Sequence, residues 1–169
     1  MPYQAADMIA AHYLGKWPAT AVLRLGLFWT VEIVGIMVFS VPPKHTEIRY
    51  GCKVWDFSRL WVHPKMPQNT ETFFISKAIK YIKKNHKDVN LIVTYADPSA
   101  GHTGAIYRAS NFIDDGMMDE GRKTPRCDYV DVDTGKQYNR KGHIPAGAVV
   151  ERRPRIAKRR FLYWLKQSL

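Results

Sequence analysis

Cysteine is nearly missing from this chain: Cys52 and Cys127 are the two it has among 169 residues. They lie far apart, in no CxxC or zinc-type spacing, and read as reduced thiols of a cytosolic protein. No basic segment followed by an apolar run opens the sequence, which argues against a secretory signal. Long hydrophobic runs are missing too. The most apolar window, residues 25–41, contains Glu32, is bordered by Arg24, and is too short to span a bilayer. These absences predict a soluble intracellular protein with no membrane partner. With no internal repeat or low-complexity stretch, residues 1–169 read as a single domain large enough to bury a core.

Acidic residues are in short supply as well, 15 against 26 Lys and Arg, for a net charge of +11. Residues 151–169 hold seven of the bases and one acid, so a basic strand or tail carries more than half of the excess. Such a concentration suits a polyanion, nucleic acid before membrane, because bound lysine and arginine release counterions from phosphates. A plain solubilising tail would have the same composition.

What is present has the periodicity of an α/β fold. Residues 3–14 predict a short helix with Met8, Ile9, His12 and Tyr13 grouped together, stopped by Gly15. Residues 23–30 and 32–40 read as a β-hairpin turning at Thr30–Glu32. Val54–Val62 is a third strand, whose alternation puts Val54, Asp56, Ser58, Leu60 and Val62 on one face and Trp55, Phe57, Arg59 and Trp61 on the other. The polar loop 63–70 follows, then an amphipathic helix over 71–84, capped by Asn69 or Thr70, with Ile75, Ala78, Ile79 and Ile82 inward and lysines outward. Residues 91–95 are apolar enough for a buried strand, parallel or nearly so to the one before the helix. Residues 114–125 read as a surface loop, 129–132 and 136–139 as a small hairpin, and 161–165 as a closing strand.

Chemistry concentrates after the third and fourth strands. The loop 63–72 leads into a helix N-terminus, whose amides can hold an anion with help from the hydroxyls of Thr70 and Thr72. It contains no glycine, and a plain capped helix start has the same pattern. Arg59, in an apolar strand, needs either an anionic ligand or a carboxylate such as Asp56 or Asp97. Asp97 ends a buried strand, where open α/β sheets bind ligands, and can act as a general base, orient one, or simply open an Asp-Pro turn. Gly101 and Gly104 bracket His102 and Thr103 and let backbone approach a substrate. Tyr107, on the next short helix, can point back to the same place and donate a proton to a leaving thiolate, or pack in the core. His12 and Tyr13 could contribute to a metal site only with ligands from elsewhere, such as His102.

Two resemblances sharpen this. Ile33-Val34-Gly35-Ile36-Met37-Val38, Arg59-Leu60-Trp61-Val62-His63-Pro64 and Ala105-Ile106-Tyr107-Arg108-Ala109-Ser110-Asn111-Phe112 resemble the GCN5-related N-acetyltransferase (GNAT) fold. That implies a GNAT-like mixed central sheet flanked by helices, an acetyl-CoA-type donor and a tyrosine general acid. The glycine-rich pyrophosphate loop of that fold is replaced here by Met66-Pro67-Gln68-Asn69-Thr70-Glu71-Thr72.

The narrower resemblance is to the Mom family of phage DNA-modification proteins. It rests on Phe57-Ser58-Arg59-Leu60-Trp61, Asn69-Thr70-Glu71-Thr72-Phe73-Phe74-Ile75-Ser76, Tyr95-Ala96-Asp97-Pro98, Gly101-His102-Thr103-Gly104, Ile106-Tyr107, and His12-Tyr13-Leu14-Gly15 with the basic C-terminal strand. It implies a phage-encoded transferase of the host cytoplasm that converts adenine in double-stranded DNA to N6-carbamoylmethyladenine and so hides the DNA from restriction. Arg59, Asp97 and Tyr107 would be catalytic, with Ser99 and His102 as further candidates. Ser58, Asn69, Thr70 and Thr72 would bind the donor, and His12 and Tyr13 would belong to an iron site. Arg152, Arg153, Arg155, Lys158, Arg159 and Arg160 are expected to contact phosphates. The adenine would leave the stack and meet an aromatic side chain, among them Trp55, Trp61, Tyr129 or Tyr138. A carbamoylmethyl group cannot come from acetyl-CoA alone, so either the donor differs or a further step follows. A conventional acetyltransferase of a protein or small amine and a non-catalytic DNA-binding protein are the alternatives. The sequence leaves the oligomeric state open, a homodimer included.

Overall fold

The computed structural model describes residues 5–12, 15–124, 126–138 and 141–166. In chain order the elements are α1 (Ala5–Ala11), β1 (Ala21–Trp29), β2 (Glu32–Ser40), α2 (Lys44–Tyr50), β3 (Val54–Val62), α3 (Thr70–Asn85), β4 (Leu91–Ala96), α4 (Ala105–Ala109), β5 (Ile113–Met117), β6 (Cys127–Asp131), β7 (Gln137–Tyr138), β8 (Val150–Pro154) and β9 (Arg159–Trp164). Six strands form the main sheet in the order β1-β2-β3-β4-β9-β5, and β7-β6-β8 form a small second sheet. The fold is mixed α/β, a central mixed sheet with flanking helices, as the sequence predicts.

In the main sheet β3 and β4 pair in parallel, and the other neighbours are antiparallel. The parallel pair is joined by α3, the long crossover that parallel neighbours require. Its buried stripe of Phe74, Ile75, Ala78, Ile79 and Ile82 packs on Met37, Phe39, Trp55, Phe57, Ile92 and Phe161. On the opposite face Met8, Ile36 and Val38 form a smaller core with Ile33 and Trp61.

Several expectations are corrected. The first helix ends at Ala11, before His12, and Tyr3, Gln4, Tyr13 and Leu14 lie outside the described residues. Simple alternation fails in β3. Val38 pairs with Arg59 but Phe39 with Phe57, so Ser58 sits in a β-bulge and the phase reverses there. Trp55, Phe57, Leu60 and Val62 therefore share the α3 face, while Trp61 joins the other core. Helix α2 was not expected; it ends where Gly51 turns left-handed at φ 62°. Residues 114–125 are not wholly loop, because 114–117 belong to β5, an edge strand along β9. The predicted basic tail is two strands in different sheets, β8 along β6 and β9 between β4 and β5.

Candidate active site

The site follows from how little β3 and β4 share. Their ladder covers only Val54↔Leu91, Trp55↔Ile92 and Asp56↔Val93. A last bond, from the Thr94 hydroxyl to the Phe57 carbonyl at 3.0 Å, closes the seam. Beyond it the strands splay, helped by the Ser58 bulge, and leave a cleft of about 420 Å³. Its walls include His12, Ser58, Arg59, Trp61 and Val62 on one side, and Tyr95, His102, Gly104 and Tyr107 on the other.

The far wall is shaped by residues 97–104. Asp97 caps a single 3-10 turn, accepting hydrogen bonds from the Ser99 amide at 3.1 Å and the Ser99 hydroxyl. Its other oxygen receives Lys158 Nζ at 2.8 Å. Burial works to raise this carboxyl, but the hydrogen bonds from Lys158 and Ser99 outweigh it and hold it below the usual carboxylate range. Asp97 is thus ionised and fully employed, and neither it nor Ser99 is among the residues lining the cleft. Gly104 must be glycine: its φ is +78°, and a Cβ would enter the Phe161 ring. It starts α4, which sets Tyr107 against Phe57, Phe112 and Phe161 at centroid distances of 5.9, 5.7 and 5.3 Å. The tyrosine packs against the core and also lines the cleft.

On the near wall, Arg59 donates from Nη1 to the Ser58 carbonyl at 2.6 Å and from Nε to the Lys16 carbonyl at 3.3 Å. His12 is buried beside it; burial, then the charges of Arg59 and His102, push its pKa down to about 4. The imidazole is neutral at pH 7. Two further groups, Asp56 and Tyr95, have no catalytic or binding role in the sequence reading, where Asp56 enters only as a possible ion-pair partner of Arg59. Asp56 has Oδ1 shut away from solvent with no hydrogen-bond partner, and burial raises its carboxyl to about 6 against the pull of Arg59 and Lys158. Tyr95 is pushed up to about 12, by burial first and then by Asp56. Polar residues in strands whose neighbours are buried were the available signal for both.

The expected donor-binding residues are placed less directly. Asn69 stands at the N-cap of α3 in the left-handed region, φ 68°, and makes no side-chain cap. Thr70 Oγ1 donates to the Pro67 carbonyl at 2.6 Å and Thr72 Oγ1 to the Asn69 carbonyl at 2.8 Å, so both hydroxyls serve the turn. Ser58 Oγ is shared with Ser40 Oγ at 2.7 Å and the Val38 carbonyl at 3.1 Å. What remains for an acyl-CoA-type donor is the first turn of α3, where the Thr70 amide already bonds the Pro67 carbonyl at 3.2 Å and the next two have no intrahelical acceptor, and the β3 edge exposed by the splay. An extended amide-bearing chain fits such an edge. Glu71, which lines the cleft at that turn, departs from a purely anion-binding surface. An iron site fits poorly: His12 and His102 share the cleft, but no cluster of three His, Cys, Asp or Glu occurs among the described residues. Tyr13 lies outside them.

Of the expected phosphate contacts, Arg152 and Arg153 are exposed on β8, with Arg153 paired to Glu151 at 2.7 Å. Arg155 grips Asp128, Lys158 holds Asp97, and Arg159 pairs with Asp114 at 2.8 Å. Arg160 is buried against Asp115. Among the four aromatics considered for a base, Trp55 and Tyr138 are buried, Tyr129 is half-buried in the small sheet, and Trp61 lines the cleft. No helix among the described residues is long and apolar enough to cross a membrane.

Solved structures of similar shape include acetyltransferases. The ribosomal-protein-S18-alanine N-acetyltransferase of Escherichia coli matches with a TM-score of 0.52 at 11% identity, over 99% of this chain and 94% of its own. The protein yncA of Salmonella typhimurium, solved with its cofactor acetyl-CoA, matches with 0.53 at 12% identity, over 86% of this chain and 66% of its own. At such identities the likeness is one of fold. In sequence, the methylcarbamoylase mom of Escherichia phage Mu is 30% identical over 107 residues, 60% of this chain and 44% of that protein, so the match spans less than half of the relative's length. The model of the Mom protein family matches residues 2–167, nearly the whole sequence, and the chain belongs to the Mom protein family.

Proposed function

We propose that this protein is a transferase that modifies the exocyclic amine of adenine in double-stranded DNA, giving N6-carbamoylmethyladenine and shielding phage DNA from restriction in the host cytoplasm. The single observation that carries the reading is the family match across residues 2–167. The cleft supplies a chemistry compatible with it. The flipped adenine would enter from the Trp61 and His12 side, stacking on the indole. His12, neutral at pH 7, can accept a hydrogen bond from the amine. Arg59 supplies a fixed positive charge where negative charge develops, and Tyr107 can protonate a leaving group. Asp97 acts as an orienting residue, holding residues 97–104 through Ser99 and Lys158.

An acyl-CoA-type donor would lie along the open β3 edge with its phosphates toward α3. Forming the product breaks an N–H bond of adenine and makes an N–CH2 bond. The donor must therefore bring in the carbamoylmethyl group with a leaving group on its methylene carbon, which departs with the bonding electron pair and takes up a proton, while the adenine amine gives one up. The test is nucleoside mass spectrometry of plasmid DNA from cells expressing the protein. A deoxyadenosine heavier by one carbamoylmethyl group in place of hydrogen is expected, reduced at least about 100-fold in Tyr107→Phe and in Arg59→Ala. Unchanged nucleosides with well-expressed protein would favour the second reading, a conventional acyltransferase of a protein or small amine, which the fold also accommodates.

A further inference from the structure

The β1–β2 hairpin ends in a two-residue turn, Thr30-Val31, and its tip is apolar where a soluble turn is normally polar. Phe28 is 62% exposed, Trp29 60% and Val31 89%. The tip is firmly mounted. Thr30 adopts φ 55° and donates its hydroxyl to the Trp29 carbonyl at 2.6 Å, while Leu23, Leu25 and Leu27 anchor β1 in the core. Gly26 gives the Phe28 ring its seat: a Cβ there would stand 3.1 Å from both Phe28 Cε2 and Ile33 Cδ1.

The hairpin stands beside the cleft. Leu27, Gly35 and Val62 lie in one row across the sheet, and Val62 is a cleft wall residue. Two strand spacings put the hairpin about 10 Å from that wall, and its tip projects past the row. Trp61, inside the cleft, packs in the same small core as Ile33, which touches Phe28's seat, so apolar surface is continuous from cleft to tip. Of the exposed charges near it, Arg24 lies farther back on β1, Lys65 follows His63, whose amide bonds the Val34 carbonyl, and Glu32 sits opposite Trp29 at the tip itself. Exposed aromatic side chains on a two-stranded support, beside the cleft of a chain with net charge +11, match the base stack of a polyanion better than a protein groove.

We propose that the hairpin tip, with Trp29 and Phe28 as its working side chains, is a wedge that enters the base stack of duplex DNA and fills the space vacated when a nucleotide turns into the cleft. The proposal rests on the DNA-modifying reading above. It assigns these residues a part in opening the duplex and none in the transfer step.

The test uses the purified full chain and DNA duplexes carrying 2-aminopurine opposite thymine between randomised flanks. Wild-type protein is expected to raise 2-aminopurine fluorescence at saturation. Trp29→Ala should lose most of that rise while its DNA affinity, read by anisotropy, falls less than about threefold; Trp29→Phe should recover it. On duplexes with 2-aminopurine opposite an abasic site, where the stack is already broken, both proteins should give equal signals. Equal rises from wild type and Trp29→Ala on the paired duplex would overturn the wedge, as would an equal loss on both substrates. So would Trp29→Ala converting a dimer to a monomer in sedimentation without touching the fluorescence, which would make the tip a contact between copies. Modified adenine present in cellular DNA and undiminished by Trp29→Ala would sink the wedge alone. Unmodified DNA with the wild-type protein would sink the DNA-modifying reading as well.

Discussion

Among single residues, Asp56 is the most exposed to pH. Its unpartnered Oδ1 and raised pKa mean that the folded protein holds its proton more tightly than the unfolded chain does. The stability this contributes is complete below about pH 4 and is lost as pH rises through about 6. Replacing Asp56 with Asn removes the titration. The variant should be more stable than wild type by about 2 kcal/mol above pH 7 and no more stable at pH 4, by urea denaturation at both pH values. A gain that is the same at both would refute the assignment. His12 shows the opposite sign: its depressed pKa favours the folded state above the ordinary imidazole range and withdraws that support in acid. The sequence exposed Arg59, His102 and Tyr107 as members of one site, and the cleft brings all three together with His12. It could not separate a carboxylate that lines a cleft from one that braces a loop, because Asp97's role depends on Lys158, 61 positions later.

At the level of elements, α3 was legible because sixteen residues repeat one apolar stripe, and 3.6-residue periodicity over that length has no competing reading. Ile82 sits fully buried at its C-terminal half. Ile82→Ala should destabilise the protein by about 2–5 kcal/mol, against under about 0.5 for Lys80→Ala on the outer face, in thermal or chemical melts. Elements that escaped notice did so for stated reasons. Helix α2 is seven residues long, too short for a periodic signal. Strand β5, Ile-Asp-Asp-Gly-Met, looks like loop because its carboxylates are neutralised by bases outside the strand, Arg108, Arg159 and Arg160. The bulge at Ser58 is invisible to alternation because one inserted residue changes the phase without changing the composition.

For the whole molecule, the net charge of +11 stands, but the C-terminal strand is not where it is free to act. Lys158, Arg159 and Arg160, three of the bases that made the C-terminus look like a DNA-binding tail, are paired with Asp97, Asp114 and Asp115. Exposed bases are distributed instead over β8, the outer face of α3 and the surroundings of the hairpin. DNA affinity should therefore fall steeply with salt, and Arg152→Ala should lower the slope of log K against log salt by about one. A slope near zero in the wild type would exclude phosphate contacts as the source of affinity.

The three-pair ladder between β3 and β4 has a mechanical meaning. The sheet is two leaves, β1-β2-β3 and β4-β9 with β5 at its edge, in which the β1–β2, β2–β3 and β4–β9 ladders are long and antiparallel, and the leaves are joined along a short spine. Bending concentrates where rungs are fewest. A molecule laid between the leaves acts as the rungs that the spine lacks, so filling the cleft stiffens the entire sheet, and a small ligand can govern how the whole protein breathes.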